Sequence, residues 1–168
     1  MNASERTLVL MRHAKSSYPD GVADHDRPLA ARGQREAGLA GIWIRDHVAP
    51  IERVLCSSAT RTRETLELAD IDAPVDFLDR LYGATPGSLI SEVNAVDDAV
   101  RTLLVVGHEP TMSQVALGLA APDGSNRTVV GEISMKFPTS GIAVLRPPGR
   151  WADLQLGSAA LVAFHVPR

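Results

Sequence analysis

The chain has one cysteine, Cys56, in 168 residues. No disulfide can form within it, and a reducing, cytoplasmic setting is expected. Long apolar runs are missing too. Glu5 and Arg6 precede only Thr7 to Met11 before Arg12 interrupts the run. That is not a secretory signal, and nowhere does the chain approach the ~20 apolar residues that span a bilayer. Neither sign of charge dominates: 17 Lys and Arg stand against 20 Asp and Glu, a net charge of −3. The balance removes the electrostatic case for nucleic acid or a membrane surface as partner. Any anion must be recognised by a local cluster. There is no Walker phosphate loop, which argues against an ATPase or kinase. No His, Cys and acid cluster has metal-ligand spacing, so neither metal nor other cofactor is expected. Aromatic residues are only 4% of the chain, and packing is the default role for Tyr18 and Tyr82. Repeats and low-complexity tracts are also lacking.

What is present is an ordinary globular composition, 45% hydrophobic and 22% charged, of a length that suits one domain over residues 1–168. Short apolar runs alternate with helical patterns. Strands are expected at 7–12, 53–56, 75–78 and 102–106, the third at an edge. Helices are expected at 31–48, 60–69, 85–100 and 111–119. Thr60 is expected to cap the second helix and Gln114 to complete a capping box in the fourth. Two late strands, 142–146 and 160–165, are expected to pair as a hairpin across Pro147-Pro148-Gly149. This order predicts an α/β fold of three layers, α/β/α, with a mostly parallel central sheet and a late antiparallel strand.

Two histidines follow apolar strands directly: Leu8-Val9-Leu10-Met11-Arg12-His13 and Leu103-Leu104-Val105-Val106-Gly107-His108. In open α/β sheets the binding crevice lies outside the carboxyl ends of the strands. Each histidine alone reads as a hydrogen-bonded structural group; as a pair beside Arg12 they read as a phosphate site with a histidine nucleophile. A third strand end, Leu55-Cys56-Ser57-Ser58-Ala59-Thr60-Arg61, runs into a helix whose free amides would attract phosphate. Arg61 lies in the first turn of that helix, where the dipole disfavours a cation. It is either a solvated surface arginine or a group kept there for an anion. Arg63, the alternative second arginine, is placed on the solvent side. Lys15 either touches phosphate or is plain surface, and Ser57 either donates to phosphate or caps the helix. His25, His47 and His165 are read as structural or surface groups. Cys56 and Arg61 have four residues between them where cysteine phosphatases have five, so Cys56 is read as a buried, inert thiol.

Arg12-His13-Ala14-Lys15-Ser16, Ser57-Ser58-Ala59-Thr60-Arg61 with Thr65, and Gly107-His108-Glu109-Pro110 resemble, in order and spacing, the motifs of the histidine phosphatase superfamily. Its fold is called phosphoglycerate mutase-like. The small size, Asp24-His25-Asp26-Arg27-Pro28-Leu29, Leu81-Tyr82 and Phe137-Pro138-Thr139-Ser140-Gly141 resemble its short bacterial SixA-type phosphohistidine phosphatases. The resemblance implies that His13 attacks phosphorus and becomes a phosphohistidine that water hydrolyses. Arg12, Arg61 and His108 would hold the phosphate oxygens, and the substrate would be a phosphohistidine-bearing protein in signal transduction or a small phosphorylated molecule. Relatives that hydrolyse phosphomonoesters usually carry an acid in a loop after the third strand, yet residues 81–91 contain none. An alkoxide leaving group needs a proton, whereas imidazole, with a reference pKa near ~6.5, leaves without a strong acid. The gap therefore fits phosphohistidine better than a sugar phosphate, with Asp24, Asp26 or Glu109 as possible substitutes. Two other readings stay open: a small-molecule phosphomonoesterase and a non-catalytic phosphoprotein-binding module.

Overall fold

The structure, a computed structural model, describes residues 5–168. Six strands form one sheet: β1 (Thr7–Arg12), β2 (Arg53–Ser57), β3 (Val75–Leu78), β4 (Thr102–Gly107), β5 (Ile142–Arg146) and β6 (Ala160–His165), in the order β3-β2-β4-β1-β5-β6. β1 to β4 are mutually parallel, and β5 runs antiparallel to both β1 and β6. Five α-helices complete the fold: α1 (Ala31–His47), α2 (Thr60–Ala69), α3 (Pro86–Asn94), α4 (Thr111–Leu119) and α5 (Arg127–Met135).

β1 is apolar without alternation because both faces of the sheet are covered. Leu8, Val9, Leu10 and Met11 are all fully buried. The period of two then sorts them. Leu8 and Leu10 join Leu103, Val105 and Leu145 under α3, α4 and α5, while Val9 and Met11 join Leu104, Val106 and Val144 under α1 and α2. The three expected layers are present.

Local details depart from expectation. α3 ends at Asn94, short of residue 100, where the Asn94 side-chain amide donates to the Trp151 and Leu154 carbonyls at 2.7 and 3.0 Å and ties the helix end to that turn. Helix α5 was not foreseen. Its signals were Asn126, whose side-chain oxygen accepts from the Thr128 and Val129 amides, and the four-residue spacing of the buried Val129 and Ile133. Thr60 is the first helical residue of α2, and Ala59 occupies the cap position with no side-chain bond. Gln114 closes no capping box; Glu109 serves that helix end, accepting from the Ser113 amide at 2.6 Å and its hydroxyl at 2.8 Å. β5 and β6 do pair, but through a connection over residues 147–159 that includes a short 3-10 turn at Trp151–Asp153.

Strand register builds the site. Arg12 pairs with Gly107, so His13 and His108 emerge side by side from β1 and β4. Cys56 pairs with Val106, which puts Ser57 on the other flank of His108. Met11 pairs with Ile142, so residues 137–141 return beside Arg12. Helix α1 presses on the loop after His13: a Cβ at Gly33 would lie 2.0 Å from the Lys15 carbonyl oxygen, so only glycine fits there.

Candidate active site

Beyond the carboxyl ends of β1 and β4 lies a cavity of about 210 Å³ whose lining includes Arg12, His13, Lys15, Arg27, Arg61 and His108. A larger cavity, about 330 Å³, opens at the carboxyl ends of α1 and α2 between Val48 and Ile71 and contains none of the candidate residues. Size does not locate the chemistry here; the gathering of cations and imidazoles does.

The His13 ring is buried, and its Nδ1 lies 2.7 Å from the Ala14 carbonyl oxygen. A carbonyl only accepts, so Nδ1 carries the hydrogen and Nε2 keeps the lone pair. The sequence could not name this partner, because it is a backbone atom of the next residue. The Ala14 amide donates to the Thr65 hydroxyl at 2.9 Å, which ties the loop to α2. The loop at 137–141 clamps the same dipeptide from the other side. The Ser140 amide donates to the His13 carbonyl at 3.0 Å, the Arg12 amide to the Gly141 carbonyl at 3.0 Å, and Arg12 Nη1 to the Phe137 carbonyl at 3.0 Å. Ser140 does this from a φ of 65°, in the left-handed region that costs a non-glycine residue about 1 kcal/mol or more. Residues 137–141 bore no role in the sequence reading beyond resemblance.

His108 Nε2 lies 2.8 Å from the Ser57 hydroxyl, which itself accepts from the Ala59 amide at 3.3 Å. Ser57 thus performs the helix-end role expected of it and also fixes His108. With that oxygen accepting from Ala59, its hydrogen is available to Nε2, and the neutral ring then carries its own hydrogen on Nδ1. His108 Nδ1, Arg12 Nε and Arg61 Nε are buried without hydrogen-bond partners. Buried donors are rarely left so, and all three belong to residues around one cavity.

Arg61 is buried, as a solvated surface arginine would not be. Its Nη1 donates to the Asp24 carbonyl at 2.7 Å and its Nη2 to the Asp24 carboxylate at 3.1 Å. Asp24 also accepts from Tyr82 and from Arg27 Nε at 3.0 Å. These bonds, that of Tyr82 foremost, hold its carboxyl well below the usual range. Arg63 lies outside as expected, stacked 4.2 Å over Phe77. Cys56 is buried and its thiol is pushed up to about 12 by burial, an inert group.

Sequence reasoning missed Arg27, Tyr18, Thr139 and His25. The first three line the cavity. His25, read as a surface or structural group, is drawn to the site by its bond to the Ser58 hydroxyl at 3.1 Å and an edge contact with Tyr82, whose ring also meets His108 edge-on. Tyr82 therefore links the Asp24 segment to His108 rather than filling core. The loop over residues 14–30 folds back through these contacts, which no local pattern encodes.

Both central imidazoles are held neutral. Burial, with His108 and the arginines adding, lowers His13 from 6.5 to about 3; burial and then Arg61 lower His108 to about 4. In the unfolded chain each titrates near 6.5, so between pH 6.5 and 4 the unfolded state binds protons that the folded state refuses. Stability should fall with pH in that window by up to about 1.4 kcal/mol per pH unit for each histidine. Urea midpoints at pH 7 and pH 5 measure this. His108→Asn should show a slope shallower by about one proton, and an unchanged slope would contradict the assignment.

Comparison with known proteins gives a consistent picture. The family model for the histidine phosphatase superfamily (branch 1) matches residues 8–89. An uncharacterized protein of Mycobacterium tuberculosis is 63% identical over 158 residues, which is 94% of this chain and 100% of the relative. The phosphohistidine phosphatase SixA of Escherichia coli is 29% identical over 145 residues, 81% of this chain and 82% of that one. The solved structure of a candidate phosphohistidine phosphatase SixA from Nakamurella multipartitia superposes with a TM-score of 0.90 at 40% identity, covering 98% of each chain.

Proposed function

The chain belongs to the histidine phosphatase superfamily, in its SixA-type branch, and on that premise we propose that it hydrolyses phosphohistidine on a protein through a covalent phosphohistidine at His13. The observation that carries this reading is the state of His13. The ring is neutral, Nδ1–H is bound to Ala14, and Nε2 is free in a cavity walled by Arg12, Arg61 and His108. Nε2 attacks phosphorus in line and forms the new N–P bond on His13, while the substrate ring, protonated on its other nitrogen, leaves as neutral imidazole when its own N–P bond breaks. Water then attacks phosphorus from the vacated side, releasing phosphate and restoring neutral His13. Phosphoryl transfer asks the protein mainly for alignment and for charge over the equatorial oxygens. Arg12, Arg61 and His108, which line the cavity, supply that charge and hydrogen bonding. Lys15 adds a cation to the same lining.

The surrounding acids support an N–P substrate. Asp24 is kept ionised by its three partners. Glu92 is taken by Arg80, with bonds at 2.5 and 3.1 Å, and Asp79 is exposed. Glu109 lines the cavity, but both its oxygens are turned to Ser113, accepting from its amide at 2.6 Å and its hydroxyl at 2.8 Å. None of these groups is set to protonate an alkoxide; imidazole needs no such donor.

Phosphate release in the presence of EDTA, from a phosphohistidine-bearing protein and from a panel of phosphate monoesters, tests the reading. Release from phosphohistidine alone is expected. Preferential turnover of one monoester would make the protein a small-molecule phosphatase. Stoichiometric binding of the phosphoprotein without release would make it a binding module.

A further inference from the structure

The cavity fits a phosphoryl group among cations, so the rest of the substrate must lie on its rim, and the rim carries one unusual group. Tyr18 is 74% exposed, one of two tyrosines in the chain, and lines the cavity. An exposed aromatic on a loop would ordinarily be mobile. This one is backed by Arg27, whose guanidinium lies 4.0 Å from the ring centroid. Arg27 is itself buried and immobilised, donating to the Asp24 carboxylate at 3.0 Å, the Ser16 hydroxyl at 2.6 Å and the Ser17 carbonyl at 3.1 Å. The ring is therefore held ready at the mouth of the site, at small entropic cost on contact, as aromatic anchors of protein interfaces are. Lys15 Nζ lies 6.0 Å from the same ring, and none of the ion pairs among the described residues involves Lys15. The one carboxylate in the lining, Glu109, is occupied by Ser113.

We propose that Tyr18 and Lys15 form a docking contact for the polypeptide bearing the phosphohistidine, and that this contact selects an apolar residue and an acidic residue flanking the phosphorylated histidine. The proposal rests on the function above and names the substrate that its site prefers. The ring's exposed surface takes the apolar side chain, and the Lys15 ammonium takes the carboxylate.

Two short phosphohistidine peptides, one with Leu and Glu flanking the histidine and one with Gly and Lys, make the test, with free phosphohistidine as reference. The wild type should favour the Leu/Glu peptide in kcat/KM by about tenfold, a difference carried by KM. Tyr18→Ala should lower that ratio to the part that Lys15 carries. Tyr18→Phe, which keeps the ring on Arg27, should preserve it. The docking proposal is overturned if the wild type hydrolyses both peptides equally, or if Tyr18→Ala slows both in parallel and leaves the ratio intact. Those results leave the phosphatase reading standing. If the wild type releases phosphate from neither peptide nor from free phosphohistidine, the phosphatase reading falls and the docking proposal with it.

Discussion

His13→Ala is expected to lower phosphate release from phosphohistidine by on the order of 10⁴-fold or more, the scale on which hydrolases lose activity with their nucleophile. The side chain is buried, its Nδ1 is held by a backbone bond, and Arg12, Lys15, Arg27 and Arg61 line the same cavity. No neighbour replaces it. His108 is fixed through Nε2 to Ser57, and Cys56 is a buried thiol pushed up to about 12. Two measurements belong together: steady-state release, and quench of the wild type during turnover in alkaline denaturant to trap phosphate on the enzyme. The trapped species should be acid-labile, as N–P bonds are, and absent from the variant. Release within about tenfold of the wild type would remove His13 as nucleophile. The substitution also takes away a histidine that resists protonation in the fold, so the variant should lose less stability than the wild type on acidification.

Arg61→Ala ranks second, with an expected loss of about 10³-fold in kcat, the lower end of what a transition-state arginine contributes in phosphoryl transfer. One guanidinium does two things here. Its terminal nitrogens hold the Asp24 carbonyl and carboxylate, and on the proposed reading its charge also serves the phosphate. Lysine cannot divide itself that way, so Arg61→Lys should recover little. Arg63→Ala is the control, since Arg63 is exposed, bonds the Ser58 carbonyl at 3.0 Å and stacks on Phe77. It should stay within about threefold of the wild type. Equal losses from the two arginine variants would mean that the α2 amino terminus, rather than Arg61, holds the phosphate.

These expectations trace back to the chain unevenly. The strands that carry His13 and His108 were legible because fully covered strands are written as unbroken apolar runs, and the end of such a run marks the end of the strand. Arg61 was legible as a position but not as a role. A first-turn arginine reads the same whether solvent or Asp24 receives it, and the difference lies in a contact across 37 residues. Helix α5 was missed although Asn126 and the Val129–Ile133 spacing announced it. α3 was drawn too long, since its end is tied through the Asn94 side chain to carbonyls nearly 60 residues away, a contact no local pattern encodes.

The residues by themselves determined the layered α/β class, the strand ends that carry the two imidazoles, the cation beside His13, and the want of an acid over residues 81–91. All of these are written in local composition and periodicity, which act over a few residues. Only the tertiary structure decided which nitrogen of His13 is free, that Ser57 orients His108, that Asp24 binds Arg27, Arg61 and Tyr82 at once, and that Tyr18 stands braced at the rim. Each is a hydrogen bond or ring contact between side chains and backbone groups brought together by strand register and loop return. Such contacts depend on distances and angles in three dimensions, which no period along the chain records.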